Sequence, residues 1–298
     1  MNQPTKHILI TGARGQLGRE MQRLLDADSR FEAIYTDVEE LDITSGDAVN
    51  NFIATHPVDF IVNCAAYTAV DRAEDDEATA RLINVDAVCN LANVAAHRGI
   101  KVVHVSTDYV FDGNGCRPYR EDDPVNPISA YGRTKLAGEQ ALMSRLPLQA
   151  VILRTAWLYS PHGKNFVKTM LELGRTRNEL QVVFDQVGNP TSATDLAMAI
   201  ITVITTPEWH PGIYHVANEG AISWFDFTRA IHRLAGITTC NVAPCLSDQF
   251  PARASRPHYS VLDKSKFKST FGVTLPYWED SLRQCIDRLN QSSHHTQE

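Results

Sequence analysis

Short apolar runs alternate with amphipathic stretches through the first half of the chain. KHILITG is apolar and β-branched without polar alternation, ends on glycine, and leads into ARGQLGREMQRLLDA, whose apolar residues recur at helical spacing. The same couple returns as FEAIYTD before DAVNNFIATH, and as DFIVNCAA before EATARLINVDAVCNLANVAAHRG, a long helical pattern closed by Gly99. KVVHVSTDYVF is the next strand, Tyr131 opens the helix that follows, and QAVILRTAWLY is one more strand. Strands apolar on both faces and separated by helices predict an α/β fold: a doubly wound parallel sheet covered on both sides.

Beyond Tyr159 the rhythm loosens. PHGKNFVKTMLELGRTRN reads as loop and helix, QVVFDQVGNPTS as strand and loop, ATDLAMAIITVIT as helix, GIYHVAN as strand and SWFDFTRAIHRLAG as an amphipathic helix. The proline-rich remainder ends in a terminal helix, and the polar tail NQSSHHTQE reads as frayed. The expected division is a Rossmann-type lobe over 1–159, joined by a contribution from about 181–217, and a smaller mixed lobe over 160–298.

Composition narrows the partners. A length of 298 residues suits one large or two modest domains, and a net charge of -7 gives no general attraction to nucleic acid or to anionic membranes. Six cysteines without a C-x-x-C pair suggest reduced thiols and a cytoplasmic setting. The first strand begins too early for a cleavable leader, and AMAIITVIT is too short to span a bilayer, so no membrane partner is expected.

Chemistry concentrates at the first turn. TGARGQLG sets Gly12, Gly15 and Gly18 in G-x-x-G-x-x-G spacing between a strand and a helix, where bare backbone and unpaired N–H groups suit a pyrophosphate. A dinucleotide is implied. Asp37, at the end of the second strand, is placed for the adenosine ribose and disfavours a 2′-phosphate, whereas Arg14 favours one. Asp42 and Ile43 are placed for the adenine, with turn formation the plainer role for Asp42. Further on, NPISAYGRTKLAGE puts Tyr131 and Lys135 on one helical face, with Ser129 as N-cap behind Pro127.

The glycine motif, STDYVF and Y-x-x-x-K occur in the order of the extended short-chain dehydrogenase/reductases. GARGQLG, NCAAYTAVDRAE, VVHVSTDYVFDG, SAYGRTKLAGE, LRTAWLYS, GNPTSATDLA and SRPHYSVLD together resemble the dTDP-4-dehydrorhamnose reductase branch of that family over nearly the whole chain. The resemblance implies NADPH or NADH as cofactor and reduction of the C4 ketone of a dTDP-linked 4-keto-6-deoxy sugar. It also leaves a reductase or epimerase of another nucleotide-linked keto sugar open, and a non-catalytic regulatory subunit of methionine adenosyltransferase on the same scaffold.

Residue roles follow from the same likeness. Tyr131 supplies the proton, Thr107 binds the substrate oxygen, and Lys135 holds the nicotinamide ribose and lowers the phenol's pKa. Gly15, Gln16, Leu17, Asp37, Asp42, Ile43, Ala65, Ala66 and Tyr67 lie against the cofactor, Trp157 against the deoxysugar, and Arg256 clamps a phosphate. Related dehydratases carry Asp-Glu after the threonine; here Asp108 and Tyr109 stand there, which favours simple reduction, with both binding sugar hydroxyls. His104 reads as a hydrogen-bonded core residue. Some members dimerise around magnesium held by three carboxylates. Glu20 and Asp195 fall at two of those places and the neighbourhood of Arg288 at the third, so a Mg2+-linked homodimer is carried as an expectation beside the plainer one of surface acids.

Overall fold

The computed structural model describes residues 5–250 and 252–294. Six parallel strands form its sheet: β1 (Lys6–Thr11), β2 (Phe31–Thr36), β3 (Phe60–Asn63), β4 (Lys101–Thr107), β5 (Ala150–Thr155) and β6 (Gly212–His215), in the order β2-β1-β3-β4-β5-β6. The doubly wound parallel sheet expected from the pattern is therefore the observed one. Strand order reverses between β1 and β3, and at that switch point the carboxyl ends of the strands open a crevice. Register brings Thr11 beside Thr36 and Asn63, and Thr107 beside Thr155, along one edge of the sheet.

Both faces are covered, which is why the strands carry no polar alternation. On one face Ile8 and Ile10 pack with Met21 and Leu25 of α1 (Gln16–Leu25), and with Leu196 and Ile200 of the later helix Ala193–Thr205. On the other, Leu9, Ile61 and Ile152 meet Val49 of α2 (Gly46–Thr55), Val88 and Leu91 of α3 (Ala87–Arg98), and Leu142 of α4 (Ala130–Arg145). Each such side chain contributes about 1.5–3 kcal/mol when fully buried. Ser129 caps α4, its Oγ accepting the Gly132 N–H at 3.2 Å.

The long helical pattern before Gly99 is not one regular helix. It runs as an α-helical turn (Glu77–Arg81), a π-helical turn (Leu82–Asp86) and then α3. The π turn aims Asn84 inward, where its Oδ1 accepts from Tyr67 N at 2.9 Å and its Nδ2 donates to Thr134 Oγ1 at 3.1 Å. Those partners lie on distant segments, so apolar periodicity alone could not show the bulge.

A third core lies beyond β5. Tyr159, Val167, Leu171, Phe227, Ile231 and Leu282 pack together where the helices Phe166–Thr176, Trp224–Leu234 and Trp278–His294 meet. A parallel pair of strands, Glu179–Val183 and Asn241–Cys245, flanks them. Ser223 and Asp226 cap the helix Trp224–Leu234 reciprocally, which fixes where Trp224 leaves the chain. Of the tail NQSSHHTQE, expected to fray, residues 290–294 instead continue the helix Trp278–His294, and the rest lies outside the described residues.

Candidate active site

Between β1 and α1 the chain turns on Gly12, whose φ is +66° and where a Cβ would stand 2.7 Å from Ala65 N. Gly15 is the N-cap of α1 with no side chain closing the helix end, so the first-turn N–H groups face outward. An uncapped helix start over bare glycine fits the pyrophosphate of a dinucleotide. From this turn a cleft of about 320 Å³ leads over Asp37, Asp42, Ile43, Ala65 and Ala66. Asp42 serves both readings: it lines this cleft, and its Oδ1 accepts from Thr44 N at 2.9 Å to close a turn.

Arg14 lies outside that cleft. Its guanidinium is held by Glu39 and Glu40, and its backbone N–H donates to Asp37 Oδ2 at 3.1 Å. Tyr67 does not line that cleft either: its backbone bonds Asn84, and it packs, as Tyr131 does, against Ala73, Ala80 and Ala130.

A second cleft, of about 620 Å³, continues over the carboxyl ends of β4 and β5. Gln16, Leu17, Gly18, Thr107, Asp108, Tyr109, Tyr131, Lys135, Trp157 and Arg256, dispersed in sequence, all line it. Thr107 ends β4 and donates from Oγ1 to Asp108 Oδ1 at 3.0 Å, while Tyr109 N donates to the same hydroxyl at 3.2 Å. Asp108 is buried, and burial pushes its carboxyl up to about 6 despite hydrogen bonds from Ser260 and Thr107. Tyr109 meets Tyr131 edge to face, with ring centroids 5.5 Å apart.

In the protein alone, the surroundings of Tyr131 work against the acidity expected of it. Burial pushes the phenol up to about 12; a hydrogen bond with Thr107 opposes this and the charge of Asp108 adds to it. Lys135 Nζ donates to Val105 O at 2.7 Å and lies 3.4 Å from His104 Nε2. The ammonium is buried as expected, at 2% exposure, and burial brings its pKa down to about 8 against the pull of Glu139. His104 is a hydrogen-bonded core residue, as its place on the strand suggested.

Sequence reasoning missed most of the aromatic wall. Trp224 stacks on Trp157 and also meets Phe166, and all three line the cleft with Phe227. Trp157 is the one described non-glycine residue with positive φ, at +48°, a conformation that costs energy and marks functional sites. Asn165, also missed, donates to Gln16 Oε1 at 2.8 Å and ties the loop after Tyr159 to the start of α1. Arg256 reaches the cleft while its Nη2 pairs with Asp71 Oδ2 at 2.7 Å. The one available signal for this wall was the capped aromatic run SWFDF, which periodicity explains equally well as core.

The magnesium expectation is corrected. Glu20 is fully buried and already neutralised, its carboxylate bonded at 2.9 and 3.0 Å by Arg288 and also by Arg23 and Thr194. Asp195 accepts from Asn218 and Ser281 instead. Among the described residues no group of three His, Cys, Asp or Glu side chains could hold a metal ion. No described helix is long and apolar enough to cross a membrane.

The family model for the RmlD substrate binding domain matches residues 6–291. Among curated relatives, a probable dTDP-4,6-dihydroxy-2-methyloxan-3-one 4-ketoreductase of Streptomyces antibioticus is 44% identical over 287 residues, covering 96% of each chain. Among solved structures, a dTDP-4-dehydrorhamnose reductase of Clostridium acetobutylicum is 47% identical, with a TM-score of 0.91 over 95% of this chain and 99% of that one. A dTDP-4-dehydrorhamnose reductase of Bacillus anthracis, solved in complex with NADP, is 38% identical with the same TM-score and coverage.

Proposed function

This chain belongs to the RmlD substrate binding domain family, within the extended short-chain dehydrogenase/reductases, and on that premise we propose that it reduces the C4 ketone of dTDP-4-dehydro-6-deoxy-L-mannose to give dTDP-L-rhamnose. One observation carries the reading: a threonine, a phenol and a buried ammonium converge on one cleft, opposite an aromatic wall. When bound, NADH or NADPH supplies the hydride. The glycine turn and Gln16 would hold its pyrophosphate end, Asp37, Asp42 and Ile43 its adenosine, and Lys135 its nicotinamide ribose.

The protein's own part is to manage charge on the ketone oxygen. As negative charge builds there, the Thr107 hydroxyl turns from Asp108 to donate a hydrogen bond to it, and Tyr131 delivers its hydroxyl proton. A buried phenol holds that proton firmly at neutral pH, so Tyr131 enters the reaction as an acid already loaded. Tyr109 stands where elimination would need a second carboxyl group, which leaves reduction as the outcome. The apolar wall suits the C6 methyl and the flat side of a deoxysugar, and Arg256, with donors beyond those given to Asp71, suits a phosphate of the nucleotide.

The test is oxidation of NADH and NADPH, followed by absorbance, with the 4-keto precursor of dTDP-L-rhamnose and identification of the product sugar. A second reading has its own support. The 44% identical relative is named for a 4-keto sugar with fewer hydroxyls, so a more deoxygenated dTDP-4-keto sugar belongs in the same assay. A higher kcat/KM on that compound would move the assignment to it.

A further inference from the structure

Behind Lys135 runs a buried polar chain that the reaction as described does not use. Thr11 Oγ1 donates to Asn63 Oδ1 at 2.7 Å, and the backbone N–H of Ala65 donates to the same oxygen at 3.1 Å. That backbone donor fixes the amide, because turning it over would set Nδ2 against an N–H. Asn63 Nδ2 therefore donates to His104 Nδ1, 3.0 Å away. Nδ1 accepts, so the proton of the neutral imidazole is on Nε2.

Nε2 faces Lys135 Nζ at 3.4 Å, while Lys135 donates to Val105 O at 2.7 Å. An N–H aimed at an ammonium is a meeting of two donors; the same N–H aimed at a neutral amine is a hydrogen bond. In a site this dry the difference is not screened by water. His104 is 1% exposed and Lys135 is 2% exposed.

We propose that His104 is a positioning residue for proton delivery: through the Nε2–H that Asn63 imposes, it loosens the hold of Lys135 on its proton, so that Lys135 can reload Tyr131. The inference rests on the reductase reading of this site. Tyr131 gives its hydroxyl proton to the ketone oxygen and is left as phenolate. A proton leaving Lys135 restores the phenol, and the amine that remains accepts the His104 Nε2–H until solvent returns a proton to it.

Other groups around Lys135 work in known senses. Glu139, one turn along α4, raises its proton affinity, and is itself bonded by Arg154 of β5 at 2.7 Å. Tyr131 of the same helix and Asp108 beyond β4 share the cleft. Burial is the larger influence and draws the lysine down to about 8, the direction in which the His104 contact also acts.

The experiment is kcat/KM for the keto sugar against pH, in the wild type and in His104→Gln. A glutamine can turn its carbonyl oxygen to the ammonium, so the basic limb of the profile should move up by about one pH unit. Asn63→Asp should move it the same way with His104 intact, since a carboxylate claims the Nδ1 proton and leaves Nε2 as an acceptor. Lower kcat with an unmoved basic limb in both variants overturns the proposal. So does nitrogen NMR of the histidine-labelled wild type if it puts the His104 proton on Nδ1. If the wild type oxidises neither NADH nor NADPH with any dTDP-keto sugar, the reductase reading fails, whereas the tautomer still decides the geometry behind Lys135.

Discussion

Trp157 lies face to face with Trp224, the ring centroids 3.5 Å apart and the planes 10° from parallel. The two residues leave the chain from different elements, Trp157 from the break after β5 and Trp224 from the first turn of a capped helix. Their stack couples the sheet to the third core at the place where the sugar is proposed to bind. Trp224→Ala removes an aromatic pair worth about 0.5–1.5 kcal/mol beyond its burial. The expected result is a KM for the keto sugar raised by roughly tenfold, since 1.4 kcal/mol is one decade, with the dissociation constant of NADH little changed. Unchanged sugar kinetics would remove Trp224 from the substrate wall.

Gly188 sets the plane of that stack from behind. A Cβ there would stand 2.7 Å from Cε2 of Trp157, closer than a ring in a packed wall can accept without moving. Gly188→Ala should therefore tilt Trp157 and cost about 1–3 kcal/mol of stability. Two readouts check it: a lower unfolding midpoint in urea, and an altered near-ultraviolet circular dichroism of the tryptophans.

Tyr131→Phe keeps the ring and deletes the proton donor. Turnover should fall by roughly 10²–10⁴-fold, the span of general acid catalysis. NADH affinity, measured by fluorescence titration, should hold, because the interaction lost belongs to the transition state. Wild-type turnover in this variant would take the proton away from Tyr131.

How much of this was legible in the chain differs by element. The parallel sheet could be read because strands buried on both faces have no other economical place, and the glycine turn because strand, glycines and helix adjoin. The cleft's composition was harder. Thr107, Tyr131 and Lys135 sit in recognisable motifs, but Trp224 and Phe166 each open a helix whose apolar residues look the same whether they face a core or a ligand. The pairing of Lys135 with Val105 O and His104 was invisible for another reason: helical spacing places Lys135 beside Tyr131, whereas the strand beneath decides where its ammonium points. The π turn at Asn84 depends on Tyr67 and Thr134 in the same way.

Cofactor preference turns on an arginine that is already engaged. Arg14 is held by Glu39 and Glu40, and Asp37 stands between it and the adenosine cleft. A 2′-phosphate entering here meets three carboxylates and one guanidinium committed to two of them. The expected ratio of kcat/KM favours NADH, and Glu39→Ser with Glu40→Ser should move it toward NADPH by roughly tenfold, the effect shrinking in high salt because these groups are exposed. Kinetics with both cofactors at two ionic strengths check the direction; a preference for NADPH in the unmodified chain would mean that Arg14 leaves the two glutamates for the phosphate.

Acid should unfold this protein partly through histidines that cannot take a proton while buried. His215 is fully buried, and burial together with the nearby Arg154 brings its pKa down to about 3; His104 is lowered in the same direction by burial and Lys135. In the unfolded chain both titrate near 6.5. Below that value the unfolded state binds protons that the native state refuses, so stability is fully present above about pH 6.5 and is lost as pH falls toward the folded values. Asp108 acts the other way: its folded pKa of about 6 exceeds the unfolded one, so the native state takes up a proton as pH drops below 6 and part of the loss is offset. With two histidines against one carboxyl group, these three together predict a net loss between pH 6.5 and pH 4. His215→Gln removes one of the two and should flatten the fall in unfolding free energy by up to about 1.4 kcal/mol per pH unit in that window. Urea midpoints of the wild type and the variant across that range check this, and parallel curves would mean that His215 is protonated in the native fold.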